Sequence, residues 1–496
     1  MNRVLVALPV DARPAVRSQV QEMVACAGWQ LRVPEVGLLG HLRQPGDRAA
    51  LLEWLMAQAP EADGFVLSLD MLVYGGLVPS RFIEDDLHSL QLRLEALEAL
   101  HRLWPDKPIH AFAATMRISH NNIAEEEKPY WAEHGMRLWE WSFHRDRAEH
   151  GASSGDAAAS AQAVHRLELQ IPASIRADYL QTRRRNFQIT LRALQMVHSG
   201  VIQRLVLPQD DTAEYGLNIA ERRRLQMQAA LLGIEARVAL YPGADEVMHT
   251  LCARLVATLE RRPALRVAIL PSDPAGLPTL RARYEDRPLP LSIDSQLQAV
   301  GAIRHEEADS ADVVLGVHTQ GHEQGDWAMN IPLPERCGVA PDWPAHLQRA
   351  HRAGQSVALA DLAYANGGDP WLLTQDLPPL SAYAGWNTAS NSLGSVLAQC
   401  VLGWGRMQEE PARRALSLRL TEDLLYQAQL RQALRAGIDE SRATPQALLQ
   451  AARSLVIPAA RQFAQQQGLS HEVAELHLPW GRSFEVDLRL QRRTRS

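Results

Sequence analysis

Cysteine is scarce in this sequence: four residues in 496, Cys26, Cys252, Cys337 and Cys400, with no CxxC pair among them. That spacing argues against a zinc-thiolate cluster or a disulfide framework and fits a reducing compartment. Long apolar runs are missing too, and nothing approaches the roughly 20 residues of a membrane span. No basic leader, apolar stretch or cleavage site precedes the strand-like VLVALPV at 4–10. The expectation is a cytoplasmic protein with no membrane partner. Charge of one sign is also lacking. Lys and Arg number 51 and Asp and Glu 57, spread along the chain to a formal −6, so no basic stripe suggests nucleic acid. Neither GxGxxG after the first strand nor a Walker A sequence occurs, so no dinucleotide, nucleotide or other cofactor is expected.

What is present is ample apolar material, 46% of the chain, in short runs that recur with a rhythm. VLVALPVD (4–11), GFVLSLD (64–70), IHAFAAT (109–115), QRLVLPQD (203–210), ARVALYP (236–242), RVAILPSD (266–273), DVVLGVH (312–318), SVALAD (356–361) and LSAYAG (380–385) each read as a strand, and LRVPE (31–35) as a weaker one. Uninterrupted Val- and Leu-rich runs of this length suit strands covered on both faces, as in parallel sheets with crossover helices. Helical spacing between them, as in 90–104 and 219–233, completes an α/β pattern. Residues 120–200 read as a helical insertion, with GASSGDAAASAQA (151–163) as an exposed loop within it. Residues 406–496 read as a mostly helical C-terminal extension with a terminal strand in 478–490, after an α/β catalytic-type domain at 1–405. The expected fold is a (β/α)8-like barrel, with two doubly wound lobes as the alternative.

Polar residues gather where these strands end, and in α/β folds those ends carry ligand sites. The first exit supplies Asp11 and Arg13. SLDMLVYGGLVPSR follows with Asp70, Tyr74 and Arg81, and TMRISHNN with Arg117 and Asn121. QDDTAEYG places Asp210 beside Asp211, with Tyr215 nearby, and YPGADE adds Tyr241, Asp245 and Glu246. Late exits give Asp361, Asn366, Trp386, Asn387 and Asn391, where Trp386 is a candidate sugar floor. His318 and His322 with Asp361 are weak metal candidates. Capping accounts for one Asp after a strand, with Asp211 or Thr212 and Asp245 as candidate caps. It does not account for adjacent acids with arginines from three exits.

LPVDARP, DGFVLSLDMLVYGGLVPSR, DYLQTRRRN (178–186), QDDTAEYG, YPGADEV, GWNTASNSLG and LPWGRSFEVD together resemble the bacterial domain of unknown function 4127 family, over nearly the whole chain. That resemblance carries no activity. It adds Arg185 and Asn186, from the helical insertion, to the candidate contacts.

Two neighbouring carboxyl groups, one protonated and one ionised, supply what glycoside hydrolysis needs, and an adjacent Asp pair raises the proton affinity of one member. The expected function is therefore a glycosidase-like hydrolase acting on a polar, amino-sugar or acidic-sugar substrate. Asp210, Asp211, Asp245 and Glu246 stand nearest the chemistry, and the pair also suits an N-acetyl group acting as internal nucleophile. The alternatives are a metal-dependent hydrolase or isomerase using Asp11, Asp70, His318 and Asp361, and a non-catalytic binder of an anionic small molecule.

Overall fold

The structure is a computed structural model and describes residues 3–151, 153–333 and 337–494. The chain forms two compact units. The first comprises the residues up to Ala12, Arg32–Val247 and Tyr284–Asp286; the second comprises Arg13–Leu31, Met248–Arg283 and everything from Arg287 onward. Residues 406–494 therefore lie within the second unit.

The strands of the first unit are β1 (Val4–Leu8), β2 (Gln30–Arg32, where the unit boundary falls), β3 (Gly64–Ser68), β4 (Ile109–Phe112), β5 (Arg204–Val206) and β6 (Val238–Ala239). They form one sheet in the order β2-β1-β3-β4-β5-β6, with parallel pairing from β1 to β6. In the second unit β7 (Arg266–Pro271), β8 (Ile303–His305), β9 (Val313–His318), β11 (Ser356–Asp361) and β13 (Ala382–Ala384) form a parallel sheet in the order β13-β11-β9-β7-β8. Between them in the chain lie β10 (Gly325–Asp326) and β12 (Tyr364–Ala365), a two-stranded pair. A terminal antiparallel hairpin joins β14 (His471–His477) to β15 (Asp487–Arg492).

Two open sheets thus replace the single eight-stranded barrel of the first expectation. Each repeats one order: the unit's first strand sits between its second and third, so the direction of winding reverses there. The polar strand exits that suggested a closed barrel are divided between the two sheets, and in the first they run from β1 across to β6.

All ten strand readings coincide with strands or their immediate approaches. The first unit's core gathers Val6, Leu8, Phe65, Leu67, Ile109 and Leu205 with apolar faces of helices Arg48–Gln58, Leu87–Leu103 and Ala173–His198. Asp86 caps the second of these helices by accepting the Ser89 amide at 2.7 Å. The helix at Leu217–Leu231 is followed by Gly233 at φ +65°, the left-handed turn with which glycine commonly ends a helix.

Three local readings change. Ser154–Gln170 is helix where a loop was expected; Ala152 of that stretch lies outside the described residues. Ser153 accepts the Asp156 amide, and the alanines behind it are strong helix formers. β14 was missed because the register shifts between Val473 and Glu475. The shift spaces buried Val473 and Leu476 three apart, which reads as helical. Finally, Leu420–Leu430 is a π-helix continuing the α-helix Glu410–Arg419, a form that periodicity cannot distinguish from α over so short a run.

Candidate active site

Irregular bridges extend the first sheet beyond the ends of β4, β5 and β6. Thr115 pairs with Gln209, and Gln209 with Gly243. The Thr115 amide donates to the Pro208 carbonyl at 2.9 Å, the Gln209 side chain donates to the Thr115 hydroxyl at 2.7 Å, and the Gly243 amide donates to the Gln209 carbonyl at 3.1 Å. This lattice fixes the residues that follow, namely Arg117, Asp210, Asp211 and Asp245. Arg81 arrives by another route. After β3 the short helix Leu69–Tyr74 ends at Gly75, φ +80°, where a Cβ would lie 2.7 Å from that of Pro45. Only glycine fits that turn, which sends the chain on to Pro79–Arg81.

Arg81 is 1% exposed and completely engaged at its terminal nitrogens. Nη1 donates to Glu127 Oε1 at 3.0 Å and to the Glu126 carbonyl at 2.9 Å, while Nη2 reaches Asp210 Oδ2 at 3.4 Å. Arg117 donates from Nε to the same Glu127 oxygen at 2.8 Å and from Nη2 to Glu126 Oε2 at 3.1 Å. Its Nη1 faces both Asp210, at 3.9 Å, and Asp211, at 3.7 Å. Glu127, 2% exposed, therefore bridges two arginines through one oxygen, and the aspartate pair lies beyond them toward water. The Asp210 and Asp211 side chains are 20% and 28% exposed.

Two features set Asp211 apart. Its φ is +43°, a strained backbone for a residue with a side chain. It also does not cap the following helix: the Gly216 and Leu217 amides donate instead to Asp146 at 2.9 Å and Ser142 at 2.8 Å, and Thr212 donates to the Tyr284 carbonyl at 2.9 Å. Asp211 Oδ2 accepts from the Ser119 hydroxyl at 3.1 Å.

Burial, then the neighbouring Asp211 charge, pushes Asp210 up to about 7 against the opposing pull of Arg117 and Arg81; the Asp245 charge adds to the rise. Burial works against the charge on Arg117, but Glu126, Glu127 and both aspartates hold it protonated well above its ordinary range. Nearby, Asp70 accepts the Ala114 amide at 2.8 Å, and burial raises it to about 7. Asp11, Asp245, Glu246 and Tyr241 are buried, the last two completely.

Other expected contacts have structural duties. Arg185 donates to the Ser80 carbonyl at 2.7 Å and to the Ile83 carbonyl, and lies over the Tyr74 ring; Asn186 donates to the Ser80 carbonyl at 3.1 Å. Both hold the segment carrying Arg81. Asn121 accepts the Ile123 amide at 2.9 Å in its own turn, and Tyr215 packs edge-on to Phe143. The missed participants are Glu126, Glu127 and Ser119. The run AEEEK announced the glutamates, but a run of acids reads as a solvated face.

In the second unit, Arg13 pairs with Glu485 at 3.4 Å and lies over the Trp480 ring. Arg13, Asn366, Trp386 and Asn387 share a small cleft with Glu422. Trp386 is no open floor: it is buried, donates from Nε1 to Ser395 at 3.0 Å and lies under Arg419. Asn366 donates to Asp326 at 3.1 Å and Asn391 to Thr388 at 3.0 Å. Of the metal candidates, His318 and Asp361 are register partners on adjacent strands, and His322 lies in the turn after β9. His318 spends its nitrogens on Ser272 at 3.1 Å and Asp369 at 2.9 Å, while exposed His322 meets Thr279 at 3.2 Å. Among the described residues no group of three or more His, Cys, Asp or Glu is placed to hold a metal ion. Nor, among them, is any helix long and apolar enough to cross a membrane.

Compared with known families, the chain matches the model described as "Protein of unknown function (DUF4127)" over residues 5–489. The chain belongs to that family. No curated protein matches it. The DUF4127 match spans both units and includes every residue of the acid-arginine cluster, while the chemistry of that cluster rests on its geometry.

Proposed function

We propose that the first unit carries a glycosidase-like hydrolase site and that its substrate is an N-acetylated amino sugar. The observation that supports this most is the aspartate pair, solvent-accessible and set against Arg117, with Asp210 holding a proton near neutrality. The two acids are adjacent in the chain and share one guanidinium. Carboxyl groups that flank a sugar from opposite faces come from separated positions. An adjacent pair fits substrate assistance better, with one acid at the leaving oxygen and the other at the acetamide. Asp211 accepts the acetamide N–H and steers its oxygen onto the anomeric carbon. Asp210 gives its proton to the departing glycosidic oxygen. Water then opens the cyclic intermediate, returning a proton to Asp210.

Local charge favours the same chemistry. Two arginines face the carboxylates of Glu126, Glu127 and Asp211 and the proton-bearing Asp210, so the site is poor for an anionic ligand and suits a transition state that gains positive charge. This weighs against the anion-binding alternative and against an acidic sugar. The four free cysteines, three of them buried, suit work in a reducing compartment.

The test is hydrolysis of chromogenic 2-acetamido glycosides compared with the corresponding 2-hydroxy glycosides. Release from the acetamido series alone is expected. Equal rates on both series, or none on either, would contradict substrate assistance.

A further inference from the structure

The second unit contains a groove of ≈ 1150 Å³ that takes no part in the acid-arginine cluster. Its walls are segment 372–380, helix Glu410–Arg419 with its π continuation, and the chain around Leu469 and the end of β15. Its floor reaches the face of the sheet at Leu359 and Tyr383, each 1% exposed, and Leu420 and Leu424 line one side. The rim is cationic. Arg413 and Arg492 are exposed, and neither guanidinium has an ion pair or hydrogen bond among the described residues. The one acid among the lining residues, Glu410, is taken up by His471 at 2.8 Å.

Unmatched positive charge above a trench whose lining is part leucine and part polar is complementary to an amphipathic anion. We propose that this groove binds a long-chain carboxylate, with the alkyl chain along the leucines and the head group between Arg413 and Arg492. The volume lies just above that of small-molecule sites, which typically enclose about 300–1,000 Å³. The recessed floor favours a single detached chain over a bilayer surface, which cannot reach Leu359 or Tyr383. This inference is independent of the hydrolase reading.

Calorimetric titration of the full chain with dodecanoate, dodecanol and dodecyltrimethylammonium, each below its micellar concentration, tests it. Dodecanoate should bind saturably and tightest. Arg413→Ala with Arg492→Ala should weaken it about tenfold, the value of losing one charged hydrogen bond. Leu373→Trp, a change at an exposed lip position, should block it while circular dichroism stays unchanged. The proposal is overturned if dodecanoate fails to bind, if the three ligands bind alike, or if the arginine pair is dispensable. It is also overturned if Leu373→Trp alters the oligomeric state, since a second copy would then be the occupant.

Discussion

The two units repeat one strand order and crowd the same residue types at their strand ends, yet the outcomes differ. In the first, acids and arginines meet at a surface that water reaches. In the second, apart from the Arg13–Glu485 pair, those around His318 and Arg419 are sealed. His318 lies between Trp343 and Trp371 and bonds to Ser272 and Asp369, while Asp361 accepts the Asp369 amide at 2.6 Å and the Tyr383 hydroxyl at 2.8 Å. Arg419 pairs with Glu422 and Asp423 entirely within the interior. A polar strand exit can therefore serve chemistry or architecture, and what covers it decides which.

The comparison breaks most sharply under mutation of the pair. Asp210→Asn or Asp211→Asn should lower turnover by about a thousandfold, the scale of general acid catalysis. Unfolding free energy should move by less than about 1 kcal/mol, as expected of partly exposed groups. Denaturant titration beside the hydrolysis assay checks both. Glu127→Gln strips a buried acid from two arginines and should destabilise by about 3 kcal/mol; chemical unfolding measures it. His318→Ala in the sealed cluster should cost about 2 kcal/mol and leave the turnover of folded protein unchanged. Lost turnover at full stability would erase the distinction between the units.

Acidity sharpens the contrast further. Burial is the first cause of raised proton affinity in Asp70, Asp210 and Glu422, each at about 7, and in Asp361, at about 6. In the unfolded chain these groups release protons near 4. Their contribution to stability is therefore complete below about pH 4 and is lost as pH rises through 6 to 7. Thermal unfolding from pH 5 to 8 should show the decline, and Asp361→Asn should flatten it. The smallest effect is expected for Trp386→Phe, about 1 kcal/mol for the lost hydrogen bond to Ser395, read by the same unfolding assay.

Strand positions were legible because buried parallel strands are continuous apolar runs whatever their neighbours. Closure was not, since one repeated order in two sheets scatters polar exits much as a barrel does. Asp210 and Asp211 stood out because adjacent acids have no ordinary capping explanation, and the helix after them is indeed capped by Ser142 and Asp146 from elsewhere in the chain. Glu127 was invisible because its importance comes from Arg81 and Arg117, 46 and 10 residues away. Trp386 misled for a related reason: serines six and nine positions later satisfy its polar atoms, and sequence does not show that a helix turns them back upon it.

The most direct measurement is the protonation of Asp210 itself. Carboxyl carbon-13 resonances of aspartate-labelled protein, followed from pH 3 to 9, should include one assigned through Asp210→Asn that titrates near 7. The same resonance should move to lower pH in Asp211→Asn, where the neighbouring negative charge is gone. Titration near 4 in both proteins would mean that Asp210 is an ordinary carboxylate with no proton to donate at neutrality, contrary to the hydrolase reading.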